Sequence, residues 1–329
     1  MRGFIRSLIG VVCLAGSVAL VAPRASAQAP KQIKLGMVAK SQSNAVFQAA
    51  YSGAQAAAKE LGPKYGVEIS IDWQTPADED AQKQAQAVSA LTGAGVQGII
   101  VSCSEARTLT RAIDNAVRRN IPVICFDSDA PQSKRFAYYG TDDEACGRKV
   151  MDELAKVMGD KGTIAILAGN QSAPNLQKRV QAVKDELAKH PNMKLLEASG
   201  GVFYHQETPE KAAEAVQSAQ NANPSIEGWA MVGGWPLFTA NALPWPPGKI
   251  QVVAVDALPA QLPYLKDGHV AVLLAQDCYG WGYKSVEILL YKIVKNQNPQ
   301  SERVIDPLTR VTKENADEYA KNWEKWLAK

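Results

Sequence analysis

The chain has 329 residues, with 36 basic residues against 33 acidic ones and a formal net charge of +3 at pH 7. So small an excess argues against a nucleic-acid-binding protein, which normally concentrates basic residues on one face. A chain of this length exceeds one ordinary hydrophobic core, so the sequence predicts two domains.

The first 27 residues have the pattern of a secretory signal peptide. Arg2 and Arg6 precede a 15-residue apolar run at 8–22, and small residues at 25–27 form a cleavage site before Gln28. The alternative is a membrane anchor, but spanning a bilayer takes about 20 apolar residues and this run is shorter. Cleavage removes three arginines and no acidic residue, which leaves 33 basic and 33 acidic residues. We therefore expect a soluble, neutral mature protein in the periplasm.

Downstream of the predicted signal, short apolar runs alternate with amphipathic or alanine-rich stretches. The runs predict strands at 33–39, 67–73, 97–102, 121–126, 136–140, 162–168, 193–198, 227–232, 250–255 and 270–275. The stretches predict helices at 45–61, 78–93, 105–119, 143–158, 175–190, 208–222, 279–296 and 313–329. Strands that alternate with helices form βαβ units and parallel sheets covered on both faces. The sequence therefore predicts an α/β fold with two similar, doubly wound parallel-sheet domains.

Four cysteines remain after the predicted cleavage, at Cys103, Cys125, Cys146 and Cys278. None lies in a C-x-x-C pair and the chain has only three histidines, so the spacing of a zinc site is absent. We therefore expect no metal and no cofactor. In an exported protein the cysteines form either disulfides or buried free thiols. The candidate disulfides are Cys103 with Cys125, on successive predicted strands, and Cys146 with Cys278, near the predicted interdomain crossings.

Polar and aromatic side chains collect where the predicted strands end. In open parallel sheets, ligands bind beyond the carboxyl ends of the strands. These ends carry Lys40, Asn44, Phe47, Ser102, Asp127, Asn170, Gly234, Trp235, Asp256, Gln276 and Asp277. Amides and carboxylates bond adjacent hydroxyls, and aromatic rings cover apolar C–H faces, so this set favours a polyhydroxylated ligand such as a sugar.

Motifs of common enzymes are missing from the sequence. It has no G-x-S-x-G elbow, no phosphate-binding loop and no H-E-x-x-H pair. The loop SQSNAVF at 41–47 occupies the place of a phosphate loop but contains no glycine. We therefore predict a binding protein, with a sugar-acting enzyme that uses paired carboxylates as the alternative.

Seven segments in order resemble a known family: GMVAKSQSNAVF, GIIVSCSE, IPVICFDSD, YYGTDDEACG, IAILAGNQSAPNLQKR, VVAVDALP and KDGHVAVLLAQD. They resemble the periplasmic sugar-binding proteins of ABC importers, of the ribose- and galactose-binding type, over residues 33 to about 300. The resemblance implies two lobes joined by a three-segment hinge near 141–142, 276–277 and 305–306. It places 28–141 plus 277–305 in the N-terminal lobe, and 142–276 plus 306–329 in the C-terminal lobe.

The resemblance also implies ligand-binding residues. Asn44 matches a sugar-contacting asparagine, and Phe47 matches a stacking aromatic ring. Asp127 and Asp256 match hydroxyl-binding aspartates of the two lobes, and Gln276 matches a hinge-side glutamine. The full predicted ligand-binding set is Lys40, Asn44, Phe47, Ser102, Asp127, Asn175, Gln177, Trp235, Asp256 and Gln276.

The chain departs from ribose-binding relatives at several positions. Val46 replaces one of two stacking rings, and Ser128 and Gln177 stand where arginines are common. Gly234 stands where asparagine is common, and the neighbouring Trp235 is the candidate replacement for the lost ring. These changes argue against ribose itself, and we expect a small neutral sugar, sugar alcohol or related polyol.

The resemblance implies a monomer that delivers its ligand to an ABC permease in the membrane. A receptor that reports a sugar or signal molecule to a chemotaxis or sensor partner would share the same cleft, so this alternative stays open. Repressors of the lactose type share the fold but begin with a helix-turn-helix, where this chain has the predicted signal.

Overall fold

The computed structural model describes residues 32–327. The predicted signal peptide lies outside the described residues. Within that range, no helix has both the length and the apolar content needed to cross a bilayer.

Thirteen strands and nine α-helices alternate along residues 32–327. The strands are β1 (Gln32–Val38), β2 (Glu68–Trp73), β3 (Gly98–Val101), β4 (Val123–Phe126), β5 (Ala137–Gly140), β6 (Gly162–Ala168), β7 (Met193–Leu195), β8 (Val202–Tyr204), β9 (Gly228–Met231), β10 (Gln251–Val255), β11 (Val272–Ala275), β12 (Arg303–Ile305) and β13 (Thr309–Val311). The helices are α1 (Ala45–Tyr65), α2 (Ala81–Gly93), α3 (Ala106–Arg118), α4 (Asp143–Met158), α5 (Pro174–Leu187), α6 (Pro209–Ala222), α7 (Leu262–Asp267), α8 (Cys278–Lys295) and α9 (Ala316–Leu327).

The strands form two sheets with the same winding. The first has the order β2-β1-β3-β4-β5-β12, and the second has the order β7-β6-β9-β10-β11-β13, with β8 also paired to β6. The first five strands of each sheet follow the doubly wound order 2-1-3-4-5, which confirms the predicted fold class. One pairing differs from the prediction, because β13 runs antiparallel to β11 while the other pairs are parallel.

Within the described residues the chain crosses between the sheets three times. The first crossing follows β5, the second follows β11, and the third joins β12 to β13. Helix α4 packs on the second sheet and α8 packs on the first. The C-terminal helix α9 contacts both α1 and α7, so it touches elements on both sides. The bounds of the two lobes stay a prediction.

Glycines let α1 and α8 pack unusually close together. A Cβ added to Gly282 would lie 1.7 Å from the carbonyl oxygen of Ala50, and one on Gly53 would lie 2.0 Å from a carbonyl oxygen of α8. Any side chain would collide with this backbone, so glycine is required at both positions. The close packing brings Phe47 of α1 beside Trp281 of α8, with ring centroids 6.3 Å apart.

Candidate functional site

A polar cavity lies between the two sheets, where the carboxyl ends of their strands face each other. It contains residues from the segments after β1, β4, β8, β9, β10 and β11 and from α1, α5 and α8. Its volume is about 20 Å³, close to the space that one water molecule needs. A ligand as large as a sugar therefore fits only when the surrounding side chains or the two lobes move apart.

Two aspartates occupy matching positions in the two sheets. Asp127 follows β4 and Asp256 follows β10, each the fourth strand of its doubly wound order. Both have left-handed backbones, with φ of 53° and 69°. Such a conformation costs free energy in a residue with a Cβ and is concentrated at functional sites. The repeated geometry gives the cavity one carboxylate from each lobe.

Neighbouring side chains hold both carboxylates in place. The hydroxyl of Ser102 donates to Oδ2 of Asp127 at 2.7 Å, and Nδ2 of Asn175 donates to Oδ1 of Asp127 at 3.2 Å. The amide of Gln276 donates to Oδ1 of Asp256 at 2.7 Å. Burial raises the pKa of Asp256 above its usual value, although this hydrogen bond opposes the shift. The bond between Asp127 and Asn175 joins the two sides of the cavity directly.

A fully buried arginine links the cavity to the chain crossings. Nε of Arg179 donates to Asp143 at 2.9 Å, and Nη2 donates to Oε1 of Gln276 at 2.7 Å. The same Gln276 oxygen accepts from the hydroxyl of Thr141 at 2.9 Å, so residues at the first two crossings are bonded to each other. Burial raises the pKa of Asp143 to about 6, while the charge of Arg179 opposes the rise.

A second buried pair, Lys40 with Glu207, spans the cavity. Nζ of Lys40 lies 3.5 Å from both carboxylate oxygens of Glu207, and the side chains are 3% and 5% exposed. Burial raises the pKa of Glu207 to about 7, with Lys40 opposing and Glu79 reinforcing the shift. Burial alone would lower the pKa of Lys40, but Glu207, Asp127 and Glu79 raise it, so the ammonium stays charged. Next to this pair, Nδ2 of Asn170 donates to Glu79 at 3.0 Å.

Aromatic rings close the cavity on two sides. Phe47 and Trp281 pack against Phe126, with centroid distances of 6.3 Å and 6.2 Å. From the second lobe, Trp235 begins a 3₁₀ turn and lies over the backbone at Gly233, where an added Cβ would be 2.2 Å from the indole ring. The cavity thus combines carboxylates, amides and flat apolar surfaces.

Most of the residues predicted from the sequence come together here. The cavity is lined by Lys40, Asn44, Phe47, Asp127, Asn175, Trp235, Asp256 and Gln276. Ser102 lies behind Asp127 and orients it. The prediction that places Gln177 in the site is wrong, because its exposed side chain donates to the carbonyl of Gln171 at 2.9 Å.

Among the charged and aromatic side chains that line the cavity, sequence reasoning missed three, Arg179, Glu207 and Trp281. Arg179 stands four residues after Asn175 on α5, a spacing that puts both on one helix face. Glu207 follows a strand of only three residues, and Trp281 lies in α8, where an aromatic residue is typical of core packing. Of these three residues, only Arg179 could therefore be predicted from the sequence pattern.

The four cysteines of the described chain are buried free thiols, so neither predicted disulfide is present. Cys103 and Cys125 are neighbours, and the hydrogen bond between the two thiols together with burial raises the pKa of Cys103. Cys146 packs in the core beside α5, whereas Cys278 begins α8 with its sulfur 4.0 Å from Asp256. These two thiols belong to different hydrophobic clusters, which explains why they do not pair.

Two doubly wound sheets with a buried polar cavity between their strand ends define a two-lobed ligand-binding protein. The chain belongs to the periplasmic binding protein domain family, whose sequence profile matches residues 35–297.

Several characterised proteins resemble the chain over nearly their whole length. The D-ribose/D-allose-binding protein of Pseudomonas aeruginosa is 24% identical over 91% of this chain and 93% of that protein. The ribose import binding protein RbsB of Escherichia coli K12 is 25% identical, over 91% and 95% of the two chains. Among solved structures, an ABC transporter solute-binding protein of Burkholderia graminis in complex with D-arabinose superposes with a TM-score of 0.76. It is 28% identical and covers 86% of this chain and 96% of that chain.

Proposed function

We propose that this chain is a periplasmic receptor that captures a small neutral sugar or polyol in the cavity between its lobes and delivers it to an ABC permease. One arrangement carries this proposal, namely the matching carboxylates of Asp127 and Asp256 on opposite sides of a cavity bounded by aromatic rings. Curated relatives that match most of the chain are named for sugars, including ribose and allose, which supports the ligand class.

The polar groups of the cavity suit a ligand with several hydroxyls. A carboxylate accepts hydrogen bonds from two adjacent hydroxyls, and Asn44 and Asn175 supply both donors and acceptors. Phe47, Trp281 or Trp235 can cover the C–H face of a sugar ring. Asn44 also accepts from the N–H of Val46 at 3.1 Å, which fixes its orientation at the start of α1.

The charges of the cavity argue against an acidic ligand. Among the cavity residues that the structure describes, Lys40 and Arg179 are the cations, and each has a carboxylate partner, Glu207 and Asp143. An acidic ligand would have to displace one of these partners, which would leave a buried charge uncompensated. A sugar hydroxyl adds no charge and can share the existing donors and acceptors.

Ligand release and capture require the groups around the cavity to move apart, since the cavity has almost no free volume, and separation of the two lobes provides this movement. The ligand stabilises the closed arrangement because it bonds to both lobes at once, as in other two-state hinge closures. The bonds between Thr141, Gln276 and Arg179 tie the crossings to the cavity, so the hinge and the ligand site share side chains.

A thermal-shift screen over pentoses, hexoses, deoxy sugars and polyols tests the proposal. A specific ligand at 100 times its Kd raises the free energy of unfolding by about 2.7 kcal/mol, which shifts Tm by about 5 °C in a protein of this size. The Asp127→Ala variant should lose the response, and the Gln177→Ala variant should keep it. No response to any sugar or polyol, together with a shift by an amino acid or another small molecule, would refute the ligand class.

A further inference from the structure

A cluster of three metal-binding side chains lies in the second lobe, away from the ligand cavity. Asp152 lies on α4, Glu186 lies near the end of α5, and His190 follows that helix. Each offers one ligand atom, and the three atoms lie within 4.8 Å of one another. Glu186 is eleven residues along α5 from the cavity residue Asn175, which separates them by about 16 Å at 1.5 Å per residue.

One ring nitrogen of His190 is paired with a carboxylate. Its Nδ1 lies 2.5 Å from Oδ1 of Asp160, and because a carboxylate oxygen only accepts hydrogen bonds, Nδ1 is the nitrogen that donates. Nε2 is then the nitrogen with the free lone pair. It is buried and has no hydrogen-bond partner among residues 32–327. A carboxylate on one ring nitrogen and an open lone pair on the other is the arrangement that metal-binding histidines show.

We propose that Asp152, Glu186 and His190 bind one divalent transition-metal ion, with zinc as the best match. Imidazole and carboxylate ligands suit zinc, nickel and copper, whereas magnesium and calcium prefer oxygen ligands alone. Tetrahedral ligands about 2.1 Å from zinc lie about 3.4 Å apart. The cluster reaches that geometry when its ligand atoms approach one another by up to about 1.4 Å, and water supplies the fourth ligand.

One existing contact competes with the ion for Glu186. Nζ of Lys189 lies 2.8 Å from Oε2 of Glu186, but the Lys189 side chain is 66% exposed and can turn into solvent. The Glu186 side chain is only 10% exposed. The ion would therefore take the place of the exposed Lys189 ammonium beside a nearly buried carboxylate. The bound ion would join α4 to the end of α5 and thereby stabilise the second lobe. This site is independent of sugar binding, because it shares no side chain with the cavity.

The chain has three histidines, His190, His205 and His269, and one of them provides a matched control. His269 also pairs through Nδ1 with a carboxylate, Asp267, at 2.8 Å. Its Nε2, however, lies 2.9 Å from the carbonyl oxygen of Trp245, so it offers no free lone pair. A His269→Gln variant therefore removes a similar residue without removing the proposed ligand.

The test uses untagged mature protein stripped with a chelator and titrated with zinc chloride in a thermal-unfolding assay. We expect a saturable rise in Tm, with a stoichiometry of one by calorimetry, in the wild type, H269Q and H205Q. The rise should be lost in H190Q and should not occur with magnesium. Absence of a rise in the wild type, or an equal rise in H190Q, would overturn the proposal.

A second pair of variants guards against misfolding of H190Q. E186Q and D152N keep the shape of the side chains and remove one anionic ligand each. Zinc affinity should fall at least tenfold in both, while circular dichroism and the sugar response stay as in the wild type. Unchanged zinc affinity in both variants would equally overturn the site.

Discussion

Replacing Glu207 with glutamine removes a buried carboxyl that titrates near neutral pH. Burial raises the pKa of Glu207 from 4.5 to about 7 in the folded protein. Between pH 4.5 and about pH 7, Glu207 keeps its proton in the folded protein but has released it in the unfolded chain. The contribution of this group to the free energy of unfolding is therefore present below about pH 4.5 and is lost as the pH rises through about 7.

The size of this loss follows from the shift in the pKa of Glu207. Since one pKa unit corresponds to about 1.4 kcal/mol, the rise from 4.5 to about 7 gives a loss of about 3 kcal/mol. Asp143, whose pKa burial raises to about 6, changes stability in the same direction. The pH dependence of the wild type alone therefore mixes several groups, and the difference between wild type and E207Q reports Glu207 together with its partner Lys40.

Urea unfolding from about pH 4 to about pH 8 measures this difference. We expect the stability of E207Q relative to the wild type to increase by about 3 kcal/mol across this range, because only the wild type loses the contribution. The control is E214Q, which removes an exposed carboxylate paired with Lys211 and should give little change. If the difference in stability between E207Q and the wild type stayed constant with pH, the claim that burial raises the pKa of Glu207 toward neutral pH would be refuted.

Two further substitutions and one chemical assay have simple expected outcomes. Asp256→Ala should weaken binding of the preferred sugar by about 2–3 kcal/mol in calorimetry, since it removes a charge-assisted hydrogen bond; near-normal affinity would rule out a ligand contact. Gln177→Ala should leave affinity unchanged because its side chain is exposed, and a clear loss would contradict that placement. Denatured, unreduced mature protein should react with four equivalents of a thiol reagent, and a smaller number would reveal a disulfide.

The regular part of the fold could be predicted because burial leaves a strong pattern in the sequence. All ten predicted strands are present, and the predicted helices begin and end within four residues of the observed bounds. The missed strands β8, β12 and β13 have three residues each, too few for a hydrophobic period to show. The antiparallel pairing of β13 depends on where the chain turns after the third crossing, which composition does not encode.

Site residues could be predicted where a strand end fixes them. Asp127 and Asp256 directly follow buried strands, so their position at the sheet edge follows from the strand pattern. Gln177 is wrongly predicted to line the cavity because the resemblance implies a role for this position but does not tell which face of α5 its side chain occupies. It lies two residues from both Asn175 and Arg179, about 200° around α5, so it points to solvent when they face the cavity. Glu207 depends on contact between lobes, which the local sequence does not show.

The most direct test of the ligand site is a crystal structure with the sugar that gives the largest thermal shift. We expect the sugar between Asp127 and Asp256, with its hydroxyls bonded to both carboxylates. The bond between Asp127 and Asn175 should then be replaced by bonds to the ligand. A sugar bound elsewhere on the surface, or in contact with one lobe only, would contradict capture between the lobes.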